Sequence, residues 1–442
     1  MTIFQAKPWI GAALALGLAT PALADDVLFE NVRVFDGVSP TLSAPSNVLV
    51  KGNIIVDISA DPIAADGAVV IAGDGRTLMP GLIDAHWHAM LASLPGSELV
   101  GEPGYGALVA GREATDTLMR GFTTVRDVGG PVFSLKRSID EGIVVGPRIY
   151  PSGAMITATS GHGDFRQRTD LPRTIGGYLS RMEILGGAMV VDSPDEMRTR
   201  VREQFMQGAT QIKLTAGGGV SSPFSPLDVT TFTEAELRAA VEIADQWHTY
   251  VVAHAFTSDS VRRAIAAGAK CIEHGFLMDE ETAKLVADTG TWLSLQPLPD
   301  ALRTNLPVGS VEREKAEEVW PGIDRAYRLA RKYNIKTAWG TDVLFSRALA
   351  TQQGAILASL SRWYTPPEAL TMATSTNAEL LKLVGPRDPY PGSLGVVEEG
   401  ALADLILVEG NPLDDLNLVA DAANNFKVIM KDGVVYKNTL AD

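Results

Sequence analysis

The stretch Pro-Gly-Leu-Ile-Asp-Ala-His-Trp-His at residues 80–88 decides how this chain is interpreted. Its apolar run predicts a strand from Gly81 to His88, and the two histidines stand two positions apart. Side chains two apart on a strand share a face and lie roughly 6–7 Å apart along it. His86 and His88 can therefore direct both imidazoles at one centre.

Short apolar strands recur along the middle of the chain and alternate with amphipathic helical segments. The capping box at residues 233–236 predicts the start of one such helix. The alternation predicts an α/β protein with a parallel sheet, and eight units predict a (β/α)8 TIM-like barrel whose chemistry gathers at the C-terminal strand ends. The predicted strands are Gly81–His88, Thr123–Val128, Arg148–Ser152, Gln211–Thr215, Tyr250–Ala255, Lys270–His274, Thr291–Gln296 and Lys336–Thr341.

Ligand-type side chains close several of these strands. His254 ends the fifth predicted strand, His274 ends the sixth and Asp342 ends the eighth. A single histidine in an apolar run is more often a satisfied core residue than a ligand. Four histidines and an aspartate at one rim instead predict a metal site.

Lys213 lies inside an apolar strand, where lysine is almost never buried without a partner. A charged ammonium would be repelled by metal ions, whereas a neutral amine can add carbon dioxide to become a carbamate. A carbamate offers one oxygen to each of two metals. The alternative is a lysine that extends out of the barrel mouth to meet substrate.

Both ends of the chain show alternating β-like runs, which include Val27–Phe35, Asn47–Ile58 and Lys427–Tyr436. Asp432-Gly433 is a two-residue hairpin signal. Neither end has enough strands for a sandwich alone, so the two ends are expected to complete one together. The expected division is residues 25–78 and 391–442 for the sandwich and 79–390 for the barrel.

Residues 1–24 have the pattern of a secretory signal peptide, with cleavage predicted after Ala24. A membrane anchor is the alternative, but the apolar run is shorter than the ~20 residues that a span requires. The protein is therefore expected to be periplasmic or secreted. Cys271 is the only cysteine, so no internal disulfide can form, and it is expected to be a buried structural thiol.

The formal net charge of −15 argues against nucleic acid or an anionic membrane as a partner, since both attract basic patches. A small-molecule substrate is the expected partner. A homo-oligomer remains open.

The motif at 80–88 resembles the first-strand motif of the amidohydrolase superfamily, and the order His-x-His, Lys, His, His, Asp resembles its binuclear subtype. The resemblance implies that His86, His88 and Asp342 hold one metal and that His254 and His274 hold the other. It also implies a carbamylated Lys213 and a hydroxide as bridges, and Asp342 as the proton shuttle. Two zinc ions are expected, and manganese and iron remain open.

A narrower resemblance lies in Thr-Ala-Thr-Ser-Gly-His-Gly-Asp at 157–164, which is similar to a segment of Xaa-Pro and Xaa-Arg dipeptidases and ochratoxinase. It implies that His162 contacts the scissile group. The alternative is a histidine that only stabilises its loop. In that group His-Ala-Tyr often follows the fifth strand, and its tyrosine helps to hold the substrate carboxylate. Here Phe256 takes that position, which puts carboxylate recognition in doubt.

Two further segments follow strand ends. The glycine-rich loop at 217–223 lacks the residues of a phosphate loop, and we interpret it as a mobile lid. Arg166, Arg168 and Arg173 follow His162 and are candidates for meeting an anionic substrate, with solvated charge as the alternative.

The leading hypothesis is an exported binuclear amidohydrolase that cleaves an amide next to a C-terminal carboxylate. Its substrates would be dipeptides or N-acyl amino acids such as ochratoxin A. A lactone or phosphoester hydrolase on the same metals is the second reading. A periplasmic solute-binding protein is the non-enzyme reading, but binding alone does not explain Lys213.

Overall fold

The computed structural model describes residues 26–222 and 224–440. The predicted signal peptide, residues 1–24, lies outside these ranges. Within them, no helix has the length and apolar character needed to cross a membrane.

Strands occur at both ends of the chain and through its middle. They are β1 Val27–Val34, β2 Pro45–Lys51, β3 Ile54–Ser59, β4 Val69–Ala72, β5 Thr77–Pro80, β6 Leu82–Trp87, β7 Phe122–Asp127, β8 Arg148–Pro151, β9 Met155–Thr157, β10 Ala188–Val190, β11 Ile212–Thr215, β12 Val251–Thr257, β13 Cys271–Leu277, β14 Trp292–Leu295, β15 Thr337–Trp339, β16 Leu405–Val408, β17 Phe426–Lys431 and β18 Val434–Asn438.

Helices lie mainly between the central strands. They are α1 Pro103–Met119, α2 Phe133–Asp140, α3 Arg181–Leu185, α4 Pro194–Gln207, α5 Glu234–Gln246, α6 Ser258–Ala267, α7 Glu280–Asp288, α8 Asp300–Thr304, α9 Val311–Lys332, α10 Arg347–Ala350, α11 Gln353–Ala358, α12 Pro366–Thr371, α13 Asn377–Leu381 and α14 Ala422–Asn425. The predicted capping box at the start of α5 is confirmed, because Thr233 accepts a hydrogen bond from the Glu236 N–H.

The central strands form two parallel sheets, one of order β6-β7-β8 and one of order β10-β9-β11-β12-β13-β14-β15. All eight predicted strands are confirmed, with ends shifted by up to three residues. Strands β9 and β10 were not predicted. Backbone hydrogen bonds connect the two sheets: the N–H of Asp342 donates to the His86 carbonyl at 2.9 Å, and that of Thr210 donates to the Pro151 carbonyl at 2.8 Å.

The two chain ends share an eight-stranded sheet of order β18-β17-β16-β5-β1-β2-β3, with β4 paired to β1. The ends meet where β16 pairs with β5 in antiparallel register. Phe29, Leu78 and Leu405, from both ends, are fully buried in one hydrophobic cluster. The hairpin predicted at Asp432-Gly433 is confirmed, and both residues have the positive φ, 55° and 75°, that a tight hairpin turn requires.

Candidate active site

A cavity of about 430 Å³ opens at the C-terminal ends of the central strands. Five of the six histidines line it. His248, which precedes β12, is the exception. The cavity brings together all the residues that the family resemblance assigns to metal or substrate, namely His86, His88, His162, Lys213, His254, Phe256, His274 and Asp342.

The Nδ1 atoms of His88 and His274 each face a hydrogen-bond acceptor. His88 Nδ1 lies 2.8 Å from the Gly129 carbonyl, and His274 Nδ1 lies 2.7 Å from Gln296 Oε1. Both partners are acceptors, so each Nδ1 carries the proton and each Nε2 is left as a ligand atom. The Nε2 atoms of His86 and His88 each lie 3.2 Å from Asp342 Oδ1.

His254 is oriented the other way round. Its Nε2 donates to the Gly218 carbonyl at 3.0 Å, which makes Nδ1 the potential ligand atom. Its ring stacks on His162 at a centroid distance of 4.3 Å. His162 Nδ1 lies 3.0 Å from Ser222 Oγ, and burial lowers the pKa of His162 to about 3, so its ring is neutral at physiological pH.

The donor set fits a divalent metal. His86, His274 and Asp342 each offer one ligand atom, and these atoms lie within 4.8 Å of one another. This cluster takes one histidine from each of the two predicted ligand sets. Imidazole nitrogen with carboxylate oxygen suits zinc and neighbouring transition metals.

The Lys213 amine also fits the predicted bridging role. Lys213 is only 3% exposed and lines the cavity, and its amine makes no hydrogen bond or ion pair with any residue that the structure describes. Burial lowers the pKa of Lys213, although Glu273 and Asp342 oppose this effect. A lowered pKa favours the neutral amine, the form that adds carbon dioxide.

The backbone is strained at two of the proposed ligands. His274 has φ of 76° and Asp342 has φ of 52°. These values lie in the left-handed region, which residues other than glycine seldom adopt. Such conformations cluster at functional sites, where the surrounding structure holds them in place. Gly340 allows the end of β15 to approach β6, because a Cβ there would lie 2.4 Å from the backbone N of His86.

A buried ion pair beneath the cavity was not predicted from the sequence. Glu273 Oε1 lies 2.5 Å from Arg126 Nη2, and Glu273 Oε2 lies 2.5 Å from His86 Nδ1. Arg126 and Glu273 are both completely buried. Despite this burial, Arg126 and His86 hold the pKa of Glu273 well below its usual range. Glu273 thus stays ionised and orients His86, as carboxylates do behind metal-binding histidines. The sequence does contain a signal for this pair, because Arg126 and Glu273 each place a charge in a predicted apolar strand, as Lys213 does.

The arginine candidates for binding an anionic substrate were wrong. Arg166 forms a buried ion pair with Asp164, and Arg173 pairs with Glu196. The Arg168 guanidinium lies over the Phe224 ring. None of the three lines the cavity.

Comparison with known proteins identifies the family. Residues 77–437 match the model of the amidohydrolase family. The chain belongs to this family. Ochratoxinase from Aspergillus niger is 31% identical to this amidohydrolase over 369 residues, which cover 77% of this chain and 72% of ochratoxinase.

Solved structures give the same relationship. A prolidase crystallised with N-methylphosphonate-L-proline superposes on the amidohydrolase with a TM-score of 0.85 and 33% identity, over 94% of this chain and 100% of the prolidase. A Xaa-Pro dipeptidase with methionine in its active site gives a TM-score of 0.80 and 30% identity, with the same coverage. The amidohydrolase is therefore a hydrolase of amide or peptide bonds, from a family that typically binds divalent metal.

Proposed function

We propose that the protein is an exported, binuclear metal-dependent hydrolase that cleaves an amide bond next to a C-terminal carboxylate, with N-acyl amino acids that carry large apolar groups as its preferred substrates. The observation that carries this proposal is the convergence of His86, His274 and Asp342 within 4.8 Å in a largely apolar cavity. The similarity to ochratoxinase and to two dipeptidases supports the same bond type.

Asp342 and His162 take the proton and substrate roles in this mechanism. His86, His88, His254, His274 and a carbamylated Lys213 would hold two divalent ions, with Asp342 as a further ligand. Such ions acidify water and polarise a carbonyl oxygen. The pKa of Asp342 is held well below its usual range by His86 and His88 despite partial burial, so its carboxylate is ionised. In the proposed mechanism this carboxylate accepts a proton and passes it to the leaving nitrogen. His162 lines the cavity and its Nδ1 lies 3.0 Å from Ser222 Oγ, which leaves Nε2 as the atom that would meet the substrate.

Apolar side chains make up much of the cavity wall. They come from several elements and include Phe165, Phe256, Leu302, Leu306, Val319, Trp320 and Phe345. No arginine is among the described residues that line the cavity, and Lys213 is its one lysine. A substrate carboxylate would therefore meet neutral donors such as Ser221 and Asn305. We infer that apolar contacts supply most of the binding energy, at roughly 25 cal/mol per Å² of buried apolar surface.

The proposal includes the architecture and location expected from the sequence. The two inter-sheet hydrogen bonds support closure of the parallel strands into a (β/α)8 barrel over residues 79–390. The shared terminal sheet supports a sandwich built from residues 25–78 and 391–442. Export rests on the signal-peptide pattern of residues 1–24.

The direct test is turnover of a matched substrate panel by purified, metal-loaded protein. The panel holds an N-aroyl phenylalanine, its carboxamide, a small polar dipeptide, a lactone and a phosphotriester. We expect the N-aroyl phenylalanine to give the highest kcat/KM. Preference for the lactone or the phosphotriester would favour the second reading, and no turnover with fewer than two metals per chain would favour a solute-binding protein.

Phe256 gives a sharper test of the substrate class. Its ring lines the cavity and packs against the rings of His254 and His274, at centroid distances of 4.8 and 5.1 Å. Phe256→Tyr adds a hydroxyl that gains a partner only when a carboxylate is within reach. We expect the ratio of kcat/KM for the N-aroyl amino acid over the dipeptide to fall in this variant. An unchanged ratio would show that position 256 does not choose between them.

A further inference from the structure

Lys315 occupies an unusual position on α9. Its side chain is buried, and its Nζ donates to the carbonyl oxygens of Gly219, Ser222 and Ser225, at 3.2, 2.7 and 2.6 Å. An ammonium has three N–H donors at one atom, so all three are used. The three acceptors lie on the loop that follows β11, which the structure describes at residues 217–222 and 224–226 and which we call the 217–226 loop.

The 217–226 loop contacts two cavity histidines. Ser222 Oγ lies 3.0 Å from His162 Nδ1 and accepts a hydrogen bond from the Gly163 N–H at 2.9 Å. Gly219 packs against the same ring so closely that a Cβ there would lie 2.1 Å from His162 Nδ1. The Gly218 carbonyl accepts the Nε2 proton of His254. The segment interpreted as a lid therefore supports both imidazoles.

We propose that Lys315 is a positioning residue, which sets His162 for the substrate through the 217–226 loop without touching substrate itself. Two of the three carbonyls that it binds belong to Gly219 and Ser222, the residues that contact His162. Because Lys315 binds the carbonyls of Gly219 and Ser222, it fixes the two loop residues that contact the His162 ring at Nδ1. The inference rests on the proposed function, in which His162 contacts the scissile group.

The chemistry of the contact favours lysine over every other side chain. A guanidinium is planar and spreads its donors over three nitrogens, so it cannot place three donors at one point. Lys315→Arg therefore keeps the positive charge but cannot donate to all three carbonyl oxygens from one atom. Lys315→Met keeps most of the apolar stem and loses all three bonds.

The experiment is a double-mutant cycle between Lys315→Met and His162→Ala. Misplacement of a catalytic group by about 1 Å can cost about 10²-fold in rate. We expect Lys315→Met to lower kcat/KM by up to this factor with metal content unchanged, and Lys315→Arg not to restore it. In the His162→Ala background, Lys315→Met should have almost no further effect, because residues that act through one another are not additive. Losses that multiply in the double variant would overturn the proposal.

Lys431→Met is the matched control. Lys431 is a second buried lysine, in β17, and it donates to the Gly146 carbonyl at 2.8 Å, away from the cavity. We expect it to lower stability with kcat/KM unchanged. An equal loss of kcat/KM in both variants would reduce Lys315 to a structural role.

Two readouts keep this test separate from the proposed function. Amide hydrogen exchange over residues 214–232 should accelerate in Lys315→Met and stay at the wild-type rate in Lys431→Met, whether or not any amide is hydrolysed. Ser222→Ala retains the Lys315 bonds and removes the contact to His162, so it should lower kcat/KM without accelerating exchange. Unchanged exchange in Lys315→Met would overturn the proposal even in an active amidohydrolase.

Discussion

Lys213 is 3% exposed and lines the cavity, and its amine has no hydrogen-bond or ion-pair partner among the described residues. If it carries a carbamate that bridges two metals, Lys213→Ala should lose most metal and nearly all activity. Lys213→Arg should fail too, because a guanidinium keeps its charge and cannot form the bridge. Metal analysis measures the loss of metal, and kcat measures the loss of activity. High bicarbonate with a short carboxylic acid should partly rescue the alanine variant, and full metal content with near-normal turnover there would exclude the bridge.

Asp342 allows its ligand role to be separated from its proton role. Asparagine tolerates the left-handed backbone at this position, where φ is 52°. Asp342→Asn therefore keeps the shape and an oxygen donor but cannot accept a proton. We expect metal to be largely retained while kcat falls by about 10²–10⁴-fold, the usual range for general acid–base catalysis. Wild-type kcat in a variant that holds its metals would place the proton shuttle elsewhere.

At the residue scale, functional roles could be predicted from the sequence where the residue type and its position in a strand indicate them. Roles that depend on a partner distant in the sequence were missed. Histidines at strand ends and a lysine in an apolar strand point to chemistry without any knowledge of contacts. Glu273 and Arg126 carry the same signal, but their meaning depends on a pairing across 147 positions. Lys315 lies on a helix rich in charged residues, and nothing local marks it as buried.

At the element scale, β13 shows why strand periodicity located the site without giving its geometry. Successive side chains on a regular strand point to opposite faces. Glu273 and His274 are consecutive, yet Glu273 contacts His86 and the ring of His274 lies 5.1 Å from that of His86. The positive φ of His274, continued by φ of 62° at Gly275, breaks the alternation and brings both side chains to one centre.

Gly275 should therefore matter for the metal site as well as for stability. Gly275→Ala places a Cβ 3.1 Å from Leu293 and puts a side chain in a left-handed conformation, at a cost of roughly 1–2 kcal/mol. We expect a lower unfolding midpoint together with weaker metal binding, measured by urea denaturation and metal titration. Gly290→Ala is the control, because Gly290 has φ of 65° with no atom near its Cβ direction. Equal metal affinity in the two variants would contradict a role for this break in placing His274.

The missed elements are short ones whose existence depends on their neighbours. Strand β5 has four residues, and it exists because it lies between β1 and β16. Strands β9 and β10 have three residues each and pair with each other. Segments of this length carry too few positions for a period of two to be recognised. The eight predicted central strands include some that are equally short, such as β15 with three residues, and these were recognised as apolar runs bounded by turns.

At the scale of the whole molecule, the terminal sheet is fastened to the end of the central strands opposite the site. Arg148 begins β8, and its guanidinium makes two hydrogen bonds to Asp404, at 2.9 and 3.2 Å. Asp404 directly precedes β16 and also accepts the Asp432 N–H of the terminal hairpin at 2.7 Å. Arg148 and Asp404 are 6% and 4% exposed, so a buried ion pair connects the two chain ends to the central sheet.

Removing this carboxylate should destabilise the fold and leave the chemistry intact. Breaking a buried pair from one side costs about 3–5 kcal/mol, because the remaining charge stays buried. Asp432 also contacts Arg148, at 2.6 Å, so we expect Asp404→Ala to fall at the lower end of that range.

The urea midpoint should drop while kcat/KM and metal content in native buffer match the wild type, because neither residue reaches the cavity. Arg148→Met in the Asp404→Ala background removes both charges of the pair and should recover part of the loss. A single shifted transition would show that the terminal sheet and the central strands unfold as one unit. A second, separate transition would show instead that the sheet built from both chain ends melts by itself, and that the ion pair does not couple it to the site.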